Sequence, residues 1–229
     1  MSGSQGVFMS REYPRRLLGR LLGVFFKLLY HPLAWTYDAV AGAVSVGRWQ
    51  GWVLSAAEQV EGRRILELGF GPGHLQARLN AEGKRVFGLD ESAQMARQAR
   101  RRLLRRQLPA RLARGLAQNL PFPTASFDCV VATFPTPYIF QPETLAEIYR
   151  VLASGGRVVV LFAAWITGGS LADRAAAQLF QITGQVPQAV EIGEAMLAPF
   201  RQAGFAAELR EIERPGSRLL YIFAHKTSE

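Results

Sequence analysis

The chain has 229 residues, of which 49% are hydrophobic and 20% are charged, so it can bury a sizeable core and is not disordered overall. A single cysteine, Cys129, excludes an intramolecular disulfide framework and a cysteine-based zinc cluster. The net charge of +9 comes mainly from arginine, which is concentrated in one region: Arg97, Arg100, Arg101, Arg102, Arg105, Arg106, Arg111 and Arg114. This region is interpreted either as a solvated helix face or as a contact surface for an anionic membrane or nucleic acid.

Residues 1–52 are predicted to form a helical extension to the main domain. Between Leu17 and Tyr30, apolar residues recur at helical spacing, but Arg20 and Lys27 interrupt them. The stretch is too short and too charged to span a bilayer, and it lacks the small-residue cleavage site of a signal peptide. It is therefore interpreted as an amphipathic helix that either packs on the protein or lies on an anionic membrane surface. The expected location is cytoplasmic, with or without membrane association.

Residues 53–229 predict one domain in which strands and helices alternate. The expected strands before the C-terminal region are Arg64–Leu68, Lys84–Asp90, Ala110–Arg114, Phe127–Thr133 and Arg157–Phe162. The expected helices are His74–Asn80, Ser92–Gln107, Pro142–Leu152, Leu171–Ile182 and Glu194–Ala203. Two further strands, Ala206–Arg214 and Arg218–His225, flank a turn signal at Pro215-Gly216-Ser217. The pattern predicts an α/β fold: a doubly wound, Rossmann-like, mostly parallel sheet of about seven strands that closes with an antiparallel hairpin.

A glycine-rich turn, Gly69-Phe-Gly-Pro-Gly73, follows the first predicted strand and precedes a helix. In a dinucleotide-binding turn, the N–H groups of the helix N-terminus face a pyrophosphate. Glu67 would repel such a group, and the glycine spacing differs from G-x-G-x-x-G. The turn therefore suits a ligand with a cation near the loop, and S-adenosylmethionine has an ammonium and a sulfonium but no phosphate. Asp90, at the end of the second strand, suits the two hydroxyls of its ribose.

With three further motifs in the same order, the sequence resembles the class I S-adenosylmethionine-dependent methyltransferases, in the group that includes the ubiquinone and menaquinone biosynthesis methyltransferases. After Glu67–His74, these motifs are Gly88–Asp90, Asn119–Asp128 and Glu147–Arg157. The resemblance covers most of the chain and makes residues 53–229 a cofactor-binding methyltransferase domain. It implies methyl transfer from S-adenosylmethionine to a small-molecule, lipid-like or quinone-like acceptor.

The resemblance also implies which residues bind the cofactor: Glu67, Gly69, Gly71, Gly73, Asp90, Glu91, Ala117, Gln118 and Thr133. Glu67 and the Gly69 backbone would receive the methionine amino group, and Asp90 would accept from the ribose hydroxyls. Two structural alternatives stay open at this point. Asp90 could cap the helix that begins near Ser92, and Glu67 could pair with an arginine such as Arg64.

One position departs from the family pattern. The family usually has an acidic residue after the third strand that accepts a hydrogen bond from the adenine amino group, whereas this chain has Leu116. The N–H of Ala117 would still serve the adenine ring, and Gln118 is the candidate for the missing acceptor.

The acceptor is expected to lie beneath the loop Thr133–Phe140, which follows the fourth strand. Transfer of a methyl group from a sulfonium needs alignment and the exclusion of water more than it needs acid or base catalysis. Tyr138 and Tyr37 are therefore predicted to orient the acceptor, with no general base and no metal assigned. The acceptor is expected to enter between the N-terminal helix, this loop and the segment Trp165–Gly193.

Two other classes of function remain open at this stage. An RNA methyltransferase would use the arginine-rich region as a phosphate-binding face, although no appended RNA-binding module is visible. A non-catalytic protein would bind S-adenosylmethionine without transferring its methyl group. A nicotinamide oxidoreductase is disfavoured because Glu67 would repel a pyrophosphate. The sequence does not indicate an oligomeric state.

Overall fold

The computed structural model describes residues 47–167 and 191–227. The predicted amphipathic helix within Leu17–Tyr30, the acceptor candidate Tyr37 and the predicted helix Leu171–Ile182 lie outside these residues. Among the residues that are described, no helix is long and apolar enough to cross a lipid bilayer.

Helices and strands alternate along the described chain. The helices are α1 (Trp49–Ser55), α2 (His74–Ala81), α3 (Ala93–Arg105), α4 (Pro142–Val151) and α5 (Glu191–Gln202). The strands are β1 (Arg64–Leu68), β2 (Arg85–Asp90), β3 (Leu112–Arg114), β4 (Phe127–Thr133), β5 (Leu152–Ile166), β6 (Phe205–Arg214) and β7 (Ser217–Lys226). Short 3₁₀ helices cover Ala56–Gln59 and Pro137–Phe140.

The strands form a seven-stranded sheet in the order β3-β2-β1-β4-β5-β7-β6. The pairs among β1 to β5 are parallel, whereas β7 is antiparallel to both β5 and β6. The predicted fold class is confirmed, including the C-terminal hairpin. The chain moves outward from β1 to β3 on one side and then returns to β4 on the other. In such sheets the crevice at this reversal, outside the carboxyl ends of β1 and β4, is where ligands bind.

Two strand lengths differ from the sequence prediction. β5 runs for 15 residues, well beyond the predicted Arg157–Phe162 at both ends. At its C-terminal end it pairs with β7 as far as Ile166 and Ser217, so the long hairpin strand extends it. β3 has only 3 residues; it lies at the edge of the sheet and pairs with β2 alone.

The sheet is covered on both faces, as expected for parallel strands that are apolar throughout. In β5, Val158 and Val160 belong to one buried cluster, whereas Val159 and Leu161 belong to the other. Cys129 is fully buried in the second cluster, as predicted for a small core residue, and burial raises the pKa of its thiol to about 12.

Buried polar contacts join helix α1 to β7, one strand of the C-terminal hairpin. The indole Nε1 of Trp52 donates to Ser217 Oγ at 2.9 Å, and Ser55 Oγ lies 2.9 Å from the hydroxyl of Tyr221. All four side chains are buried. The predicted division between residues 52 and 53 therefore falls inside a helix that packs on the sheet. These contacts place Trp49, the first residue of α1, at the carboxyl edge of the sheet.

Candidate functional site

A cavity of ≈ 410 Å³ opens at the carboxyl ends of the parallel strands. Its walls come from the glycine turn, the ends of β2 and β3, the segment after β4, and α1. The predicted site residues that line it are Gly69, Gly71, Asp90, Glu91, Ala117, Gln118, Thr133 and Tyr138. The topology thus brings together residues from four separate segments of the sequence. Glu67 and Gly73 are near this cavity along the chain but do not line it.

The three glycines of the turn have different surroundings. All three have positive φ angles: 67° at Gly69, 51° at Gly71 and 81° at Gly73. Residues other than glycine rarely adopt such a backbone conformation. A Cβ on Gly71 would meet nothing within 4 Å, so this residue opens onto free space. A Cβ on Gly73 would lie 2.7 Å from the Cβ of Ala99. Gly73 therefore allows α3 to pack closely against the turn.

This contrast predicts different results for two alanine substitutions. Gly73→Ala adds a clash with α3 to an unfavourable φ angle, so it is expected to lower the free energy of unfolding by about 2–4 kcal/mol. Gly71→Ala has only the φ penalty of about 1 kcal/mol, but its methyl group enters the space beside the turn and should weaken ligand binding. Thermal unfolding and calorimetric titration measure the two effects. Equal losses of stability would show that backbone conformation alone, without α3 packing, requires glycine at position 73.

Asp90 holds the glycine turn to the end of β2. Its Oδ2 accepts a hydrogen bond from the N–H of Gly71 at 2.9 Å, and its Oδ1 accepts one from the N–H of Ser92 at 2.8 Å. Burial raises the pKa of Asp90, and these two hydrogen bonds oppose the increase. The N-cap of α3 is Ser92, whose Oγ accepts from the N–H of Met95. Asp90 thus supports the turn, and each of its oxygens retains a lone pair for a ligand hydroxyl.

Glu67 is a buried carboxylate on β1. Only 1% of the residue is exposed, and among the described residues its Oε2 has no hydrogen-bond partner. The alternative pairing with Arg64 is not formed, since the guanidinium of Arg64 binds Asp128 at 2.5 Å. Burial raises the pKa of Glu67 to about 8; a hydrogen bond from Gln76 opposes this increase, and the charge of Asp90 adds to it. Buried carboxylates are usually paired, so this one suits a cationic ligand group.

The segment after β3 forms the opposite wall of the cavity. Leu116 lines it and is 56% exposed, whereas Ala117 is buried. The amide Nε2 of Gln118 donates to Gln141 Oε1 at 2.5 Å. The carbonyl oxygen is the acceptor of the Gln118 amide, so it is the atom that can accept from a ligand amino group.

Aromatic side chains form the wall between α1 and the loop after β4. The ring of Phe134 stacks on Trp49, with 4.3 Å between centroids and 28° between planes. Phe134 has a φ angle of 48°, and its N–H donates to the carbonyl of Leu161 at 2.7 Å. A bulky residue with positive φ is uncommon and persists only where the surroundings fix it. The hydroxyl of Tyr138 lies close to the turn, 3.1 Å from the point that a Cβ on Gly69 would occupy.

The sequence did not identify Phe134 and Trp49 as partners. Their stacking joins two segments that are far apart in the chain, so no local pattern indicates it. In the described part of the chain, no group of three or more His, Cys, Asp and Glu side chains is placed to hold a metal ion.

Comparisons with known proteins agree with this geometry. A family model described as a methyltransferase domain matches residues 65–156, which contain the glycine turn, Asp90 and β4. The demethylmenaquinone methyltransferase of Thermus thermophilus is 36% identical over 139 residues, 58% of this chain and 63% of the relative. Over this part of the chain, the comparisons support the resemblance to the class I S-adenosylmethionine-dependent methyltransferases.

Other curated methyltransferases show the same partial overlap in sequence. A ubiquinone/menaquinone biosynthesis C-methyltransferase of Erwinia tasmaniensis is 30% identical over 142 residues, 58% of this chain and 57% of the relative. The chain therefore matches less than two thirds of the length of these curated methyltransferases.

Solved methyltransferase structures share the fold. A possible histamine N-methyltransferase of Thermotoga maritima aligns with a TM-score of 0.52 and 18% identity, over 93% of this chain and 99% of that one. A phosphoethanolamine N-methyltransferase of Haemonchus contortus, solved with S-adenosylhomocysteine, aligns with a TM-score of 0.52 and 17% identity, over 80% of this chain and 57% of that one.

Proposed function

We propose that this methyltransferase binds S-adenosylmethionine in the cavity beside the glycine turn and transfers its methyl group to a planar, quinone-like acceptor. The observation that carries the proposal is the buried Glu67 carboxylate, which has an unpaired oxygen among the described residues and lies one position before the cavity residue Leu68. A dinucleotide would bring a pyrophosphate to this region, whereas S-adenosylmethionine brings an ammonium.

The residues present suit the parts of this cofactor. Glu67 would hold the ammonium, and the lone pairs left on Asp90 would accept from the ribose hydroxyls. The N–H of Ala117 and the carbonyl oxygen of Gln118 would serve the adenine ring and its amino group. When bound, the cofactor supplies a methyl group on a sulfonium, and the neutral thioether of S-adenosylhomocysteine is a good leaving group.

The protein's own contribution is alignment and the exclusion of water. Trp49 and Phe134 present apolar surface on the acceptor side of the cavity, and Tyr138 adds a hydroxyl there. A flat ring can stack against such a wall, and a ring hydroxyl can hydrogen-bond to the tyrosine. Tyr138 is therefore proposed to orient the acceptor.

The relatives that are named demethylmenaquinone methyltransferases favour a quinone-like acceptor for this chain. The reduced ring is the nucleophilic form, because its hydroxyls donate electron density to the ring carbon that attacks the methyl group. The new carbon–carbon bond forms as the bond from sulfur to the methyl carbon breaks, and the ring carbon then loses its proton. An oxidised quinone ring is electron-poor and is expected to be inert.

Titration and transfer assays test the proposal in two stages. Calorimetry should show binding of S-adenosylhomocysteine and none of NADH. Transfer from radiolabelled S-adenosylmethionine is then measured with four acceptors: a short-chain demethylmenaquinol kept reduced, phosphoethanolamine, histamine and an RNA transcript. Transfer to the quinol alone supports the proposal. Binding of NADH without S-adenosylhomocysteine would overturn it, and transfer to RNA or to an amine would overturn the acceptor class.

The aromatic wall gives a sharper test of the acceptor. Phe134→Leu keeps an apolar side chain but removes the ring, and stacking contributes about 0.5–1.5 kcal/mol beyond buried area. The KM for the quinol is therefore expected to rise about threefold to tenfold, with unchanged affinity for S-adenosylhomocysteine. Phe162→Leu is the matched control, because Phe162 packs on Phe140 and does not line the cavity. An equal rise in KM in both variants would argue against a stacking role for Phe134.

A further inference from the structure

The outer face of α3 is a continuous basic surface, which we call the arginine face: Arg97, Arg100, Arg101, Leu104 and Arg105. All five are exposed, whereas Met95, Ala99 and Leu103 are buried and fix the rotation of the helix. The 13 residues of α3 include no acidic side chain. Like charges one turn apart, such as those of Arg97 and Arg101, destabilise a helix. The attraction of cations to a helix C-terminus accounts for Arg105 but not for the arginines nearer the middle.

The arginines of α5, β6 and β7, on the opposite side of the sheet from α3, are paired with acidic side chains. Arg201, Arg210, Arg214 and Arg218 each form an ion pair with a glutamate. Within the described ranges 47–167 and 191–227, no ion pair involves the four arginines of the arginine face. In this part of the chain, the positive charge of the arginine face is therefore uncompensated by ion pairs, and this face is complementary to an extended anionic partner.

The exposed side chain of Leu104 favours an anionic lipid bilayer over a nucleic acid as the partner of the arginine face. It is 57% exposed and lies among the arginines, one of the two large hydrophobic side chains exposed to this degree in the described chain. A leucine flanked by long basic side chains matches the boundary of an anionic bilayer, where the leucine enters the acyl region and the guanidinium groups reach phosphate. A single-stranded nucleic acid would instead call for aromatic side chains on which bases stack, and α3 has none.

We infer that the arginine face docks on the surface of an anionic phospholipid bilayer. The cavity lies at the same end of the sheet as the start of α3, because Ser92 and Met95 line it. Leu116, the other large hydrophobic side chain that is exposed among the described residues, is also on its wall, and the nearby Arg114 is exposed. Docking through α3 would bring the cavity close to the bilayer, from which a lipid-like acceptor could enter. This surface is separate from the predicted amphipathic helix within Leu17–Tyr30, and the inference does not depend on the proposed reaction.

Vesicle sedimentation with two matched triple variants tests the inference. The first variant is R97Q/R101Q/R105Q, and the control is R201Q/R210Q/R218Q. Each removes three positive charges, and glutamine has nearly the helix propensity of arginine. The control breaks exposed ion pairs, which contribute little to stability. It also removes the contact of Arg210 with the Phe223 ring and the hydrogen bond from Arg201 to the Ala207 carbonyl, so the stability of both triple variants is measured as well. All chains keep residues 1–46, so any contribution of the N-terminal region is the same in each.

At 50 mM salt, the unaltered chain is expected to bind vesicles with phosphatidylglycerol and to ignore pure phosphatidylcholine, since screening is weak at low ionic strength. The first triple variant should bind the anionic vesicles at least about tenfold more weakly, and the control within about twofold of the unaltered chain. Leu104→Gln should weaken binding while leaving its salt dependence unchanged.

Three outcomes would overturn the inference. The unaltered chain could fail to bind anionic vesicles, the two triple variants could lose binding equally, or the chain could ignore vesicles and bind an RNA transcript through the same arginines. Titration of all variants with S-adenosylhomocysteine separates this result from the proposed function. Loss of cofactor binding would count against the reaction, whereas loss of vesicle binding alone concerns the arginine face.

Discussion

Replacing Asp90 with alanine is expected to lower the affinity for S-adenosylhomocysteine about tenfold to a hundredfold, because charge-assisted hydrogen bonds are each worth about 1.5–3 kcal/mol. The substitution also removes the carboxylate that accepts from the N–H groups of Gly71 and Ser92, so a loss of about 1–3 kcal/mol in stability should accompany it. Calorimetric titration measures the first effect and chemical unfolding the second.

Asp128 provides the matched control for this experiment. It is an aspartate that joins two strands, accepting from the N–H groups of Arg63 and Arg64 and from the Arg64 guanidinium. It lies near the amino end of β4, whereas the cavity lies at the carboxyl ends of the parallel strands. Asp128→Ala is therefore expected to lose stability to a similar degree but to bind S-adenosylhomocysteine normally. If both variants lose affinity in proportion to stability, Asp90 supports the turn without contacting the ligand.

The second large effect is a pH dependence that originates at Glu67. Burial raises the pKa of Glu67 to about 8 in the ligand-free protein, so the carboxyl group is mostly protonated at neutral pH. An ammonium group requires the ionised form, and its binding should therefore release a proton. Affinity for S-adenosylhomocysteine is expected to rise up to about tenfold per pH unit from pH 6 to pH 8, and to level off above pH 8.

Stability should change with pH in the opposite direction. The folded-state pKa of Glu67 lies above its ordinary value of 4.5, so the folded chain holds this proton more tightly than the unfolded chain. The resulting stabilisation is complete below pH 4.5 and is lost as the pH rises towards 8. The ligand-free protein should therefore have a lower Tm at pH 8.5 than at pH 6, apart from contributions of other groups.

Glu67→Gln tests both effects, because glutamine has the same shape and does not titrate. The variant should bind S-adenosylhomocysteine with an affinity that no longer rises with pH, and its Tm should fall less between pH 6 and pH 8.5. Calorimetry in buffers of different ionisation enthalpy should detect proton release for the unaltered chain only. Glu91→Gln, which removes an exposed carboxylate from the cavity, should keep the pH dependence. A pH dependence that persists in Glu67→Gln would assign the proton to another group.

The sequence by itself determined the order of the elements, the class of the sheet and the position of the glycine turn. These features depend on local signals. The turn at Pro215-Gly216-Ser217 lies between two strand-like runs, and the observed β6 and β7 pair across it from Arg214 and Ser217 outward. The glycines directly follow a short, mostly apolar strand, so their place at the carboxyl ends of the strands follows from the alternation of strands and helices.

Only the tertiary structure decided how the side chains of the site are partnered. It pairs Arg64 with Asp128, leaves one oxygen of Glu67 without a partner among the described residues, and engages both oxygens of Asp90 with the backbone. It also brings Trp49 onto Phe134, through a helix that is anchored to the distant β7. The contacts of Arg64 with Asp128, of Gly71 with Asp90 and of Trp49 with Phe134 join segments that are separated along the chain. Their geometry depends on how strands and helices pack together, which local spacing and propensity do not encode.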